Sequence, residues 1–156
     1  MYGQYILLVC ILVCIFILSS QSAQESKALS NHFISIYQRG VEINPFFSHR
    51  TKEVLLSRPS HYVRKLAHIF IYFILGIVTL LTLWRTQIRR SICPLLALMI
   101  CIIYAITDEW HQYYVAGRGA QLSDVRIDSC GALIGIMLSV VIIKIIGSLS
   151  NKLKGK

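Results

Sequence analysis

Acidic residues are scarce in this 156-residue chain, and so is charge as a whole. Only 15% of the residues are charged, and 7 Asp and Glu stand against 16 Lys and Arg. With 55% hydrophobic residues and a mean hydropathy of +0.62, the chain is too apolar for an ordinary soluble domain. No groove-reading or base-stacking motif accompanies the basic excess, so we expect no nucleic-acid partner and attribute the excess to membrane topology and anionic lipid.

Motifs that would fix a disulfide, a metal or a cofactor are also missing. The five cysteines lie in or beside apolar runs without a close CxxC pair, and we interpret them as small buried hydrophobic residues. No HExxH pattern, nucleophile elbow or phosphate-binding loop is present. We therefore expect no metal and no cofactor.

Four apolar runs predict an all-α integral-membrane protein with about four transmembrane helices. A span needs roughly 20 residues to cross about 30 Å of hydrocarbon. The predicted organisation is a first transmembrane helix over 1–20, a connector of about 45 residues over 21–65, a three-helix core over 66–149 and a basic cytoplasmic tail over 150–156; the runs themselves are 5–18, 66–84, 92–107 and 130–149.

The first run and the connector leave alternatives open. Run 5–18 is short, which is typical of a signal peptide, but the first four residues carry no Lys or Arg, so we favour an uncleaved signal anchor. In the connector, Leu29, Phe33 and Ile36 have helical spacing before breaks at Gly40 and at Asn44. This amphipathic segment lies either on the membrane surface or against the helical bundle.

If all four runs cross, the start of the second helix, the end of the third and the start of the fourth meet on one side of the membrane. Charge at bilayer depth costs roughly 3 kcal/mol, so polar residues gathered there are functional candidates. The predicted cluster contains Lys65, His68, Glu109, Gln112, Arg118, Asp124 and Asp128.

The positive-inside rule gives this cluster an orientation. Connector 85–90 contains three arginines and no acid, and the tail adds Lys152, Lys154 and Lys156, so both are predicted to be cytoplasmic and the cluster extracytoplasmic. Arg64 and Lys65, which flank the membrane on the cluster side, count against this orientation.

Three ordered segments resemble the signature blocks of the VanZ-like family of small bacterial membrane proteins: VRKLAH at 63–68, DEWHQ at 108–112 and GRGAQLSDVRIDSCGALIG at 117–135. The family pattern falls on the seven cluster residues, although one common form has Asn where Asp128 stands. The resemblance implies a multi-pass protein of the plasma membrane. The family's best-known member is associated with resistance to teicoplanin.

The leading hypothesis is that the cluster binds or modifies an anionic component of the cell envelope, either a membrane lipid or a lipid-linked cell-wall precursor. Arg118 offers a planar fork for phosphate or carboxylate, and Lys65 offers a point charge. The simpler alternative is a closed set of ion pairs that fixes the helix ends.

Two further functions stay open. A membrane enzyme acting on a lipid-linked substrate would use His68 or His111 as general base, whereas a hard cation held by Glu109, Asp124 and Asp128 lacks a recognisable ligand spacing. A non-catalytic assembly protein is the other alternative. For that function, the GxxxG pair Gly131 and Gly135 marks a possible helix–helix face through which the chain would form a homo-oligomer.

Overall fold

A computed structural model of the chain describes residues 2–154, which form six α-helices and no strand. The helices are α1 (Gly3–Ser19), α2 (Ala23–Ile43), α3 (His49–Ser57), α4 (Pro59–Trp84), α5 (Cys93–Tyr113) and α6 (Leu122–Lys154). The all-helical class agrees with the sequence prediction. Lys156, which belongs to the predicted tail, lies outside the described residues.

Among residues 2–154, three helices rather than the predicted four are long and apolar enough to span a membrane: α4, α5 and the part of α6 from Leu122 to Ser150. Helix α1 is equally apolar but has 17 residues. At about 1.5 Å per residue it covers about 25 Å, which is less than the roughly 30 Å of a typical hydrocarbon core. The number of spanning helices is therefore three by length, with α1 as a shorter fourth apolar helix.

Several helix ends differ from the prediction. Helix α4 begins at Pro59, a residue suited to a first turn, and α6 begins at Leu122, so both extend well before their apolar runs. A capping box between Ser22 and Glu25 starts α2, which continues through Gly40 and ends at Ile43. The predicted break at Gly40 is wrong, while the one at Asn44 is found. Helix α3 was not predicted.

Helices α4 and α6 run side by side along a seam of glycines. A Cβ atom at Gly131 would lie 2.5 Å from the Ile69 carbonyl oxygen, and one at Gly135 would lie 2.2 Å from that of Phe73. The GxxxG pair therefore serves a helix contact within one chain. A homo-oligomer through these two glycines would have to displace α4.

Helix α1 packs antiparallel to α4 and contributes Ile15, which is 1% exposed, to the core. At one end, Arg85 Nη1 donates to Gln4 Oε1 over 2.8 Å, and further along the Tyr104 hydroxyl donates to the Leu12 carbonyl over 2.6 Å. The C-terminal end of α1 therefore joins the end of the bundle where α4 and α6 begin and α5 ends.

Only two of the five cysteines are buried, Cys93 and Cys101. The prediction of burial is wrong for Cys10, Cys14 and Cys130, which are exposed on apolar helices. On a helix that faces hydrocarbon, an apolar residue need not be covered by protein, so hydropathy alone does not separate the core from the outer surface.

Candidate functional site

One polar cavity of about 130 Å³ lies at the end of the bundle where α4 and α6 begin. Helices α4, α5 and α6 and the α5–α6 loop form its walls. All seven residues of the predicted cluster line it: Lys65, His68, Glu109, Gln112, Arg118, Asp124 and Asp128. The structure thus brings together side chains that the topology argument placed at one depth, and it adds His61, Arg64 and Gln121 to them.

Two of the acidic side chains have partners that fix the cavity wall. Lys65 Nζ lies 2.8 Å from Asp124 Oδ1, which joins α4 to the first turn of α6. Glu109 Oε1 accepts a hydrogen bond of 2.6 Å from the Gln121 backbone amide, which holds the α5–α6 loop against α5. Asp124 lies inside the first turn of α6, where an acidic side chain also complements the helix dipole.

Arg118 closes the cavity from the α5–α6 loop. Gly117, with a φ of 75°, provides the left-handed turn that directs it, and its two terminal nitrogens donate to the Ser19 and Leu18 carbonyls over 3.4 and 3.5 Å. Arg118 thereby binds carbonyl groups that the C-terminal turn of α1 leaves without helical partners. Its Nε atom is buried and has no hydrogen-bond partner among the described residues.

A second guanidinium, that of Arg64, lines the cavity beside Arg118. Burial lowers the pKa of Arg118 below its usual range, and the charge of Arg64 lowers it further. Arg118 nevertheless stays protonated, because a free guanidinium ionises only at very high pH. Within residues 2–154, no carboxylate lies within ion-pair distance of either arginine, although Asp108 and Glu109 attract Arg118 from farther away.

The innermost part of the cavity contains a buried group of His68, Asp108 and Asp128. His68 Nδ1 lies 3.6 Å from Asp128 Oδ2, and Gln112 Nε2 donates to Asp108 Oδ2 over 3.2 Å and to Ser19 Oγ over 3.3 Å. Asp108 is 5% exposed and Asp128 is 2% exposed. Asp108 was missing from the predicted cluster, although its i,i+4 spacing to Gln112 places both on one face of α5.

An apolar groove of about 420 Å³ opens beside the polar cavity, between α1, α2 and α4. Its lining includes Leu29, Phe33, Phe70 and Ile74, and it shares Arg64, His68 and Arg118 with the polar cavity. Helix α2 packs against α4, where Tyr37 stacks on Tyr62 with ring centroids 6.3 Å apart. The amphipathic segment therefore lies against the bundle while keeping apolar residues at the surface.

His111 lies outside the polar cavity. Its ring stacks on Phe16 with centroids 4.6 Å apart, and its Nε2 atom lies 3.0 Å from Ser20 Oγ. These contacts tie the ends of α1 and α5 together and leave His111 away from the residues that line the polar cavity.

Comparison with known proteins supplies one result, a match of residues 4–144 to the family described as VanZ/LLP1. No curated protein and no solved structure matches the chain. The match covers the three blocks with the polar residues, α1 and most of α6. Together with three helices of membrane-spanning length, it indicates a multi-pass membrane protein. The chain belongs to the VanZ/LLP1 family.

Proposed function

We propose that this protein binds an anionic, phosphate-bearing amphiphile of the cell envelope, either a membrane lipid or a lipid-linked cell-wall precursor. The polar cavity takes the headgroup, and the apolar groove takes a hydrocarbon chain. One observation carries the proposal: Arg64 and Arg118 lie where the cavity meets the groove, with no carboxylate within ion-pair distance in the part of the chain that the structure describes.

The two arginines supply the chemistry that a phosphate requires. A guanidinium fork binds phosphate through paired hydrogen bonds, and a bond of this charge-assisted kind contributes about 1.5–3 kcal/mol. Arg118 contributes the positive charge of its guanidinium, whose terminal nitrogens make only long hydrogen bonds of 3.4 and 3.5 Å to α1 carbonyls. Lys65 is already paired with Asp124, so in this proposal it fixes the wall rather than binding the ligand directly.

The groove offers an apolar surface on which a hydrocarbon chain can pack. Leu29, Phe33 and Phe70 line it and are 55%, 58% and 63% exposed. Covering such side chains with an acyl or prenyl chain removes apolar surface from contact with water or headgroups, at about 25 cal/mol per Å². A charged pocket joined to an apolar groove fits an amphiphile better than it fits a free anion.

The site is proposed to open on the outer side of the plasma membrane. Arg85, Arg89 and Arg90 lie at the opposite end of α4 and α5 from the polar cavity, which supports a cytoplasmic position for that end. An extracytoplasmic site that binds cell-wall precursors would alter susceptibility to teicoplanin, as the family resemblance implies. Labelling of Gly119→Cys by a membrane-impermeant thiol reagent in intact cells, with the native exposed cysteines replaced by Ser, tests the orientation.

Binding is tested by native mass spectrometry of the purified, detergent-solubilised chain with four lipids: a polyprenyl phosphate, the corresponding polyprenol, phosphatidylglycerol and phosphatidylcholine. We expect the two anionic lipids to bind at least about tenfold more tightly than their uncharged or zwitterionic counterparts. A preference between the two anionic lipids identifies the source of the phosphate. Equal binding of all four would overturn the proposal.

Matched variants locate the site. Arg64→Gln is the cleanest change, because no hydrogen bond or ion pair of Arg64 is found among the described residues, and it should weaken anionic binding by roughly tenfold or more. Arg126→Gln removes the same charge from an exposed position of α6 outside both cavities, and binding should change by less than about twofold. Equal losses in both variants would indicate non-specific attraction.

A further inference from the structure

We infer that His68, Asp108 and Asp128 form a binding site for a divalent transition-metal cation. One ligand atom from each of the three side chains lies within 4.8 Å of the other two. The residues come from three different helices, α4, α5 and α6, and both aspartates are buried. The site therefore depends on the tertiary fold, which explains why no ligand spacing is visible in the sequence.

Two buried polar atoms without partners provide an independent indication of a ligand. Asp128 Oδ1 has no hydrogen-bond partner among the described residues, although Asp128 is 2% exposed. The hydroxyl of Tyr72, one helical turn after His68 and 0% exposed, also has none; it is close to Asp108 but does not reach hydrogen-bond geometry. Buried polar atoms are nearly always satisfied, so such a pair beside three potential ligands indicates a bound ion.

Charge balance favours a dication at this position. Within residues 2–154, no Lys or Arg lies within ion-pair distance of Asp108 or Asp128; Lys65 is held by Asp124, and Arg118 acts on Asp108 only from farther away. Two ionised aspartates with a neutral imidazole carry two negative charges, which a single divalent cation neutralises. Buried carboxylates are retained in proteins when they are paired or coordinate a metal.

The donor set indicates the class of metal. One imidazole nitrogen with two carboxylate oxygens suits Zn²⁺ or Mn²⁺, whereas Mg²⁺ prefers an all-oxygen octahedron that keeps several waters. Bond lengths of about 2.0–2.2 Å require the three side chains to draw together slightly around the ion. The remaining coordination positions would face the polar cavity, which His68 and Asp128 line.

The role of the cation deepens the proposed function and rests on it, although binding of the cation does not. A dication on the inner wall of the polar cavity would add positive charge opposite Arg64 and Arg118. A phosphate headgroup would then meet cationic groups on both sides. Lipid titrations with and without the metal separate this role from the binding itself.

The test uses Mn²⁺, because carboxylates suit this ion while thiolates prefer softer metals, which limits interference from the exposed cysteines. The full chain, purified in detergent and freed of metal with a chelator, is titrated with Mn²⁺, and free Mn²⁺ is followed by electron paramagnetic resonance. We expect one ion per chain. Asp128→Asn, Asp108→Asn and His68→Gln should each weaken binding by at least about tenfold.

Glu53→Gln is the matched control, because it removes an exposed carboxylate on α3 that lines neither the polar cavity nor the apolar groove. Its Mn²⁺ affinity should stay within about twofold of the wild type. Zn²⁺ is tested in parallel with Cys10, Cys14 and Cys130 replaced by Ser. If the wild type binds neither ion, or if folded His68→Gln and Asp108→Asn bind as tightly as the wild type, the inference is wrong. Folding is checked by circular dichroism, so an unstable Asp128→Asn leaves the other two variants decisive.

Discussion

The same two helices, α4 and α6, meet in opposite ways along their length. In the middle, Gly131 and Gly135 bring the backbones so close that a Cβ atom would lie within 2.5 Å of a carbonyl oxygen of α4. At the polar end the helices border a cavity of about 130 Å³, where Arg118 Nε and Asp128 Oδ1 have no hydrogen-bond partner within the part of the chain that the structure describes. The seam leaves no room for a side chain at Gly131 or Gly135, whereas the polar end encloses a cavity that could hold a ligand.

The seam also sets the register of the charges. Helices α4 and α6 are parallel, with Ile69 opposite Gly131 and Phe73 opposite Gly135. Within the two turns before Gly131, the same packing places His68 beside Asp128 and Lys65 beside Asp124. A shift of one turn along the seam would separate both pairs, so close packing in the apolar part is what positions the polar site.

The largest expected effect comes from breaking the seam. Gly135→Leu forces a side chain into the Phe73 backbone, and we expect a loss of at least about 3 kcal/mol in the free energy of unfolding, with Lys65 and His68 moved away from α6. Thermal unfolding in detergent measures it. A melting temperature within a degree of the wild type would contradict the close backbone contact between α4 and α6 at Gly135.

A buried change at the polar end should cost less. Gln112→Leu removes the side-chain amide that donates to both Asp108 and Ser19, and the loss of these two buried hydrogen bonds should cost about 1–3 kcal/mol. Gln87→Leu, at an exposed position between α4 and α5, is the control and should stay within about 0.5 kcal/mol. Equal effects of the two changes would show that the Gln112 contacts add nothing.

The Lys65–Asp124 pair is partly exposed, so its contribution should be smaller still. A double-mutant cycle with Lys65→Met and Asp124→Asn should give a coupling free energy of about 0.5–1 kcal/mol that shrinks as salt is added. The control is the same cycle with Lys65→Met and Glu53→Gln. Glu53 is an exposed acid on α3, so the coupling free energy should be close to zero. Coupling that is insensitive to salt would mean that the pair is more enclosed than its 22% and 30% side-chain exposure indicates.

The smallest expected effect is a gain in stability, at a glycine of α6 that lies outside the seam. Gly147 on α6 has nothing within 4 Å of the position that an added methyl group would occupy, so Gly147→Ala should stabilise the helix by up to about 1 kcal/mol through helix propensity alone. Gly135→Ala, the same substitution three turns earlier, should destabilise the protein. Unfolding of both variants is measured in one detergent. If both substitutions stabilise the protein, Gly135 is not more closely packed than Gly147.

Hydropathy and topology predicted the long apolar helices and the meeting of their polar ends, because those features depend on segment length and chain direction alone. Helix α3 was missed because it has no apolar run and buries no residue. The early starts of α4 and α6 were missed because the residues before their apolar runs are largely polar or charged. From the sequence, Arg64 served only as evidence about membrane orientation. Its position between the two cavities depends on how α1 and α2 pack, which the sequence pattern does not reveal.

The glycine spacing predicted a close helix contact but could not name the partner helix. Gly76, which lies on α4 outside the GxxxG pair, faces the Ala132 carbonyl and completes the contact from the other side. Asp108 shares a face with Gln112, yet its burial becomes apparent only when the neighbouring helices are in place. Contacts between helices distant in sequence set both features, and local patterns do not encode them.

One binding cycle decides whether Arg64 and Arg118 recognise a phosphate on a membrane amphiphile. Dissociation constants of a polyprenyl phosphate and of the corresponding polyprenol are measured for the wild type and for Arg64→Gln/Arg118→Gln, after circular dichroism has shown that both are folded. We expect the wild type to favour the phosphate by at least about tenfold and the variant to lose this preference while still binding the polyprenol. A preference of equal size in both proteins would contradict it.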